Sequence, residues 1–109
     1  MTFDDERERA FERKFAIDRE LAFKVASRRN AMLGRWAARR MGLHGAKADA
    51  YVKDLIEVGG VHDGPESVAT RVMGDLFLRG VPIARRDFDA LVARFTTRAR
   101  AEIVRGALG

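Results

Sequence analysis

The chain has 109 residues, contains no cysteine, and carries a formal net charge of +5 with 34% charged residues. This length fits one small domain, the lack of cysteine excludes disulfides and thiolate metal sites, and no apolar run is long enough to span a membrane. The N-terminus is acidic where a signal peptide would be basic and then apolar, so we expect a soluble intracellular protein. The charge is uneven: residues 1–20 carry −2, residues 21–42 carry +6 and residues 43–109 carry +1.

The first predicted element is a helix over residues 3–41. Thr2 provides an N-cap with Asp5 in the capping-box position, and Gly42 follows the last turn as a C′ residue. At 1.5 Å per residue such a helix is about 55–60 Å long, roughly twice the diameter of a small domain. Gly34 interrupts it at a cost of about 1 kcal/mol relative to Ala, which predicts the close approach of another helix, with a hinge as the alternative.

The apolar pattern of this helix changes along its length. Its second half has a stripe that a neighbouring helix can cover, formed by Ala22, Val25, Ala26, Leu33, Trp36 and Ala37. Before residue 21 apolar residues are sparse, although Phe11 and Phe15 share a face. An alternative is that these two rings pack on the protein's own bundle, at least in the free protein. We therefore expect residues 1–20 to form an arm, helical or partly disordered, that projects from a bundle of residues 21–109.

Three shorter helices are predicted over residues 46–58, 65–79 and 83–105, because apolar residues recur there at helical spacing between Gly and Pro breakers. The glycine-containing stretch 59–64 is predicted as a loop. Side chains expected to face inward include Tyr51, Leu55, Val72, Leu76, Phe77, Phe88 and Leu91. No segment alternates with period two, so the predicted fold class is all-α, a small four-helix bundle with a long N-terminal helix whose first part projects as an arm.

Several segments are similar to those of one protein family. They are Phe-Asp-Asp at 3–5, Arg-Glu-Arg-Ala-Phe at 7–11, Arg-Arg-Asn at 28–30 and Gly-Arg-Trp-Ala-Ala at 34–38. In combination they resemble the ATPase inhibitor subunit zeta of bacterial F-type ATP synthases. The resemblance is close over residues 3–42 and thinner over the rest of the chain.

The resemblance implies an all-helical four-helix fold and a regulatory, non-enzymatic role. Members of this family bind the catalytic head of the ATP synthase and hinder ATP hydrolysis by inserting the N-terminal segment at a catalytic interface. Such a protein is cytoplasmic and peripheral to the membrane through the synthase. Carried onto this sequence, the partner-binding arm comprises Phe3, Asp4, Asp5, Arg7, Glu8, Arg9, Phe11, Glu12, Arg13, Lys14, Phe15 and Asp18.

The basic block supports an alternative hypothesis. Lys24, Arg28, Arg35 and Arg39 fall within about 60° of one another around an ideal helix and form a basic ridge. Such a ridge can contact the phosphates of nucleic acid or of an adenine nucleotide, with ATPase inhibition weak or absent. An acidic protein partner fits the ridge equally well, and the acidic and basic parts of the chain can also meet within the protein or across a dimer. No aromatic residue interleaves the ridge, so nucleic acid is not the expected partner. The resemblance also implies that some members bind adenine nucleotides, at a site that this sequence does not place.

The sequence presents no catalytic or metal-binding constellation. His44 and His62 lie at predicted loop positions without the cysteines that usually complete a transition-metal site. The glycines near residue 60 lack the Lys-Ser/Thr pair of a P-loop. We expect a protein that is not an enzyme and that holds no metal or cofactor. A third interpretation is a structural assembly subunit, which binds the synthase without blocking it.

Overall fold

A computed structural model of the chain describes residues 2–61 and 64–108. These residues form four helices, α1 (Phe3–Arg40), α2 (Gly45–Val61), α3 (Pro65–Leu78) and α4 (Arg85–Leu108). The described residues contain no strand, so the predicted all-α class is confirmed. His62, which the sequence places in a loop, lies outside the described residues.

The ends of α1 follow the predicted capping chemistry. The Thr2 hydroxyl accepts a hydrogen bond from the Asp5 backbone N–H at 3.3 Å, and the Asp5 carboxylate accepts one from the Thr2 N–H. At the other end Gly42 adopts a positive φ of 75°, and its N–H and that of Leu43 donate to carbonyls of the last turn. These bonds form a Schellman motif, which ends the helix where the sequence predicts.

The core lies between the second half of α1 and the other three helices. α1 packs most extensively against α2 and then against α4. The buried cluster consists of Leu33, Ala37, Leu55, Val68, Ala69, Val72, Leu76, Phe88 and Leu91. The molecule measures 62 × 29 × 23 Å. Its long dimension is close to the length of α1 at about 1.5 Å per residue, so α1 sets the shape.

The close approach predicted at Gly34 is confirmed. Gly34 is buried, and a Cβ atom at this position would lie 3.0 Å from Val52 Cα and 3.2 Å from Val52 Cγ2. Because the nearest atom belongs to the backbone of α2, it cannot rotate out of the way. A glycine that weakens an isolated helix therefore lets α1 and α2 pack backbone against backbone.

The loop predicted over residues 59–64 is wrong in its first part, because α2 continues through Gly59 and Gly60 to Val61. A Cβ atom on Gly59 would collide with the side-chain amide of Asn30 and would also lie 3.0 Å from Val68 Cγ2. Gly59 is thus a packing residue inside a helix, where α2 passes over the buried Asn30.

Two side chains and one helix also differ from the sequence expectation. Ala22 is exposed because it lies three residues before Val25, the first buried residue of α1. Phe77 is 71% exposed because it lies in the last turn of α3, rotated away from its buried neighbour Leu76. The fourth helix begins at Arg85 and ends at Leu108 rather than spanning 83–105.

Tyr51 and Trp36 both pack against the core as partly buried side chains, as the sequence predicts. The Tyr51 hydroxyl donates to Asp75 Oδ2 at 2.8 Å, and Arg71 Nε donates to the same oxygen at 2.9 Å. The Arg71 guanidinium also lies 5.7 Å from the centre of the Tyr51 ring. Burial raises the pKa of Tyr51, and the Asp75 carboxylate raises it further.

We expect Gly34→Ala to destabilise the protein by about 1–3 kcal/mol, because overpacking against the α2 backbone outweighs the gain in helix propensity. Gly74→Ala is the matched control, since a Cβ at this helical position meets nothing within 4 Å. It should leave stability unchanged or raise it by up to about 1 kcal/mol. Urea denaturation followed by circular dichroism measures both variants, and equal effects would contradict the close-approach role of Gly34.

Alkaline titration should show a delayed ionisation of Tyr51. The folded chain holds the phenolic proton more tightly than the unfolded chain, so this contribution to stability is complete below pH of about 10 and is lost as the pH rises further. The chain has one tyrosine, so tyrosinate absorbance reports this group directly. We expect tyrosinate to appear together with loss of helical circular dichroism, and Asp75→Asn to lower the pKa. Ionisation near pH 10 in a fully helical chain would contradict the assignment.

Candidate functional site

The first half of α1 lies outside the packed bundle. Every described residue from Thr2 to Glu20 is exposed, and the helix runs through this stretch without a break. Large apolar side chains are exposed there too: Phe11 is 69% exposed and Phe15 is 56% exposed. Phe3 and Ile17 are also open to solvent. A fully exposed helix with four large apolar side chains has the features of a partner-binding segment.

The charged residues of this segment are unevenly distributed around the continuous helix, on which successive residues are 100° apart. One face, about 140° wide, contains both central phenylalanines and five carboxylates but only one cation, Arg19. We call it the acidic phenylalanine face, and it comprises Asp4, Asp5, Glu8, Phe11, Glu12, Phe15 and Asp18. The rest of the circumference contains Phe3, the cations Arg7, Arg9, Arg13 and Lys14, and the carboxylates Glu6 and Glu20, with Arg7 and Lys14 just beyond the edge beside Phe11. The twelve residues expected in the arm are thus all exposed, seven on the acidic phenylalanine face and five around the rest of the helix.

Two arginines lie over aromatic rings of the arm. Arg7 Cζ is 5.5 Å from the centre of the Phe3 ring, and Arg19 Cζ is 5.7 Å from the centre of the Phe15 ring. Cation–π contacts at exposed sites contribute about 0.5–1 kcal/mol, so they favour one orientation of each ring without burying it. The rings remain available to a partner.

The four residues expected to form the basic ridge have different surroundings. Lys24 pairs with Glu20 at 3.1 Å, and Arg28 reaches Glu102 of α4 at 3.4 Å. Arg35 and Arg39 are exposed and make no ion pair among residues 2–61 and 64–108. Both existing pairs are solvent-exposed, so each contributes little to stability and remains open to exchange with a partner.

Three of these cations lie beside one open trough of about 510 Å³, which we call the α1 trough. Its apolar lining residues are Phe23, Ala31, Met32, Ile56 and Ile103. Its charged lining residues are Lys24, Arg28, Arg35 and Glu102. Arg39, the fourth residue of the predicted ridge, is not among them.

Two contributors to this surface were not predicted from the sequence. Phe23 is 64% exposed at the trough, although it stands in the basic block next to Lys24. An aromatic residue off the apolar stripe of its own helix is the signal that could have identified it. Glu102 joins the trough only because α4 packs beside α1, and no spacing along the chain reveals that neighbour.

Arg29 does not belong to the basic surface. It is half-buried, its Nε donates to Asn30 Oδ1 at 3.2 Å, and burial lowers the pKa of its guanidinium. Asn30 is 2% exposed and is the buried polar side chain among the described residues. The Arg29–Asn30 pair is therefore part of the bundle interior rather than of a binding surface.

The comparisons with known proteins identify the family. A family model described as ATPase inhibitor subunit zeta matches residues 1–102. The chain belongs to the ATPase inhibitor subunit zeta family. No curated protein and no solved structure matches the chain significantly. The family match includes the whole exposed segment and all lining residues of the α1 trough except Ile103.

Metal ligands and membrane-spanning segments are the remaining features that bear on a site in this zeta family member. Among residues 2–61 and 64–108, no group of three or more His, Cys, Asp or Glu side chains is placed to hold a metal ion. Within the same residues, none of the helices combines the length and apolar character that crossing a bilayer requires.

Replacing the two central phenylalanines of this zeta family member should not affect folding. We expect Phe11→Ala with Phe15→Ala to change the free energy of unfolding by less than about 1 kcal/mol, because both rings are exposed. Phe88→Ala is the matched control, since Phe88 is buried and its truncation should cost about 3–5 kcal/mol. Thermal and urea unfolding measure these changes, and a large loss in the double variant would show that the rings pack on the bundle.

Proposed function

We propose that this chain inhibits ATP hydrolysis by an F-type ATP synthase and that residues 3–20 are the inhibitory element. The observation that supports this most strongly is the exposed first half of α1, a continuous helix with unburied phenylalanines between charged residues. In this proposal the segment enters a catalytic interface of the synthase's catalytic head. It blocks the rotation that accompanies hydrolysis by steric occupation.

The chemistry of the segment suits such a wedge. Phe11 and Phe15 provide large apolar surfaces that gain free energy when a cleft buries them, and aromatic and Arg residues commonly dominate binding energy. The carboxylates around them can pair with cations of a polar cleft. Because the segment is already helical from Phe3 onward, less conformational entropy is lost when it is bound than for a disordered peptide.

In this proposal the chain has two functional parts. Residues 1–20 form the inhibitory arm, and residues 21–109 form a bundle that positions it. The arm and the bundle share α1, so docking the bundle on the synthase would fix the direction of the arm. The protein would act at the cytoplasmic side of the membrane, held there through the synthase alone.

The test measures ATP hydrolysis by the cognate synthase with increasing amounts of the full-length protein. We expect inhibition, and we expect Phe11→Ala with Phe15→Ala to raise the half-inhibitory concentration by at least about tenfold, as for loss of interface anchors. Phe77→Ala is the matched control, because Phe77 is 71% exposed but lies on the bundle. It should inhibit as well as the parent protein.

Three results would contradict parts of this proposal. A correctly folded full-length protein that leaves the hydrolysis rate unchanged would exclude the inhibitor. A deletion of residues 1–20 that still inhibits like the parent would exclude the arm assignment alone. A protein that binds the synthase without slowing hydrolysis would instead support a structural assembly subunit.

A second candidate function rests on the cations of the α1 trough. Lys24, Arg28 and Arg35 lie together beside an apolar floor, an arrangement that can also receive the phosphates of an adenine nucleotide or of nucleic acid. Binding of DNA and of ADP across a salt series distinguishes this function. Steep salt-dependent affinity for DNA, lost when the four cations of the ridge are changed to Gln, would favour it over inhibition.

A further inference from the structure

The α1 trough is an open, amphipathic surface. Its floor and walls are apolar side chains from three helices, and the cations Lys24, Arg28 and Arg35 surround them. Lys24 and Arg28 form exposed pairs with Glu20 and Glu102, which a docked carboxylate can replace, and Arg35 forms no ion pair among the described residues. Phe23 stands exposed at this surface. Grooves of this kind receive amphipathic helices, whose apolar side chains fill the floor while their charges pair with the rim. A basic rim selects a helix that is acidic around its apolar side chains.

The chain itself contains a helix of that description. The acidic phenylalanine face of the arm carries Phe11, Phe15, five carboxylates and the cation Arg19. Arg7 and Lys14 flank this face on the Phe11 side, so carboxylates still outnumber cations around the two rings. Its two phenylalanines lie four residues apart, on the same side of the helix. Its charge and apolar content are complementary to those of the α1 trough.

The arm of a given molecule cannot reach the trough of that molecule. Both surfaces belong to one helix, α1, which is continuous from Phe3 to Arg40. Folding the arm back onto residues 23–35 would require breaking that helix near its middle. The arm that fills a trough must therefore come from another copy. We propose that the acidic phenylalanine face of one molecule docks into the α1 trough of a second molecule.

The directions of the two surfaces determine the type of assembly. At 100° per residue, the trough cations lie about 180° around α1 from the centre of the acidic phenylalanine face. A two-fold pair of antiparallel α1 helices would need both surfaces on the same side of the helix. The arm of one molecule therefore enters the trough of the next, and its own trough is filled by a third. This is a heterologous, head-to-tail contact, which builds a ring or an open series of three or more molecules rather than a two-fold dimer.

Self-association of this kind would reduce the amount of active inhibitor, a consequence that rests on the function proposed above. Phe11 and Phe15 cannot be buried in a neighbour's trough and in a cleft of the synthase at the same time. The assembly is a store of inactive inhibitor, which dilution or raised ionic strength releases as monomers.

The experiment measures the molar mass of the full-length protein alone, by sedimentation and light scattering, over a series of concentrations and salt. We expect the mass to increase beyond that of a dimer as concentration rises and to decrease with added salt. The arm variant Phe11→Ala with Phe15→Ala and the trough variant Lys24→Glu with Arg35→Glu should each remain monomeric. Circular dichroism checks that both variants are folded.

Mixing the two variants gives the decisive result. The arm variant keeps an intact trough, and the trough variant keeps an intact arm, so an equimolar mixture can form one contact and no more. We expect the mixture to form heterodimers that do not grow further. The matched control Arg86→Glu with Arg94→Glu changes the net charge by the same amount at exposed positions of α4 outside the trough. It should associate like the parent protein.

Each other outcome overturns the proposal. A parent protein that stays monomeric at all concentrations and salts would exclude the contact. Association that persists in both variants would place it elsewhere, and a mixture that stays monomeric would exclude pairing of arm and trough. A closed dimer of the parent would contradict the head-to-tail geometry. Because no synthase is present in this experiment, its results do not test the inhibitor proposal. The hydrolysis assay described above tests that proposal separately.

Discussion

The continuity of α1 is the constraint on which the rest of the structure depends. One helix forms both a wall of the hydrophobic core and an exposed segment. The direction of the arm is therefore set by the packing of the second half of α1. Buried residues begin at Val25 and continue to Ala38, and all three other helices pack against this part of α1. Without these contacts, nothing would determine the direction in which the exposed half of the helix points. The bundle fixes its direction by holding one half.

The contact between α1 and α2 depends on two glycines, one in each helix. Gly34 of α1 admits the backbone of Val52, and Gly59 of α2 admits the side chain of Asn30. Burying Asn30 carries a desolvation cost, which its hydrogen bond with Arg29 offsets. Each helix thus leaves out a side chain where the other needs room, and the two positions together set how closely α1 and α2 approach.

The sequence predicts the features that depend on neighbours along the chain. The capping box at Thr2, the Schellman glycine at Gly42 and the inward stripe through Leu33 and Ala37 are all local patterns, and all are confirmed. The same local rules fail at Gly59, because a glycine pair marks a loop unless a neighbouring helix needs the space. They also fail at Phe77, because spacing gives a face of a helix but not where its covering neighbour ends.

The candidate site shows the same division between local and non-local information. The exposed arm and its phenylalanines follow from sparse apolar residues before residue 21, which the sequence contains. The α1 trough requires Ile56 and Glu102 from two other helices, and their meeting with α1 is a property of the packed bundle. Counting charges along the chain gives −2 for residues 1–20 and +6 for residues 21–42. Such a count does not show that five of the acidic residues share one side of α1 with Phe11 and Phe15.

That clustering gives the uneven charge of the chain a physical meaning. If acidic and basic residues alternated around the arm, its phenylalanines would be equally compatible with a cationic or an anionic cleft. Five carboxylates on the phenylalanine side favour a partner surface that is apolar and basic, because like charges facing each other at an interface cost several kcal/mol. Both proposals made above therefore call for the same kind of surface, an apolar cleft with cations at its rim. In those proposals the synthase and a second copy would compete for this one face.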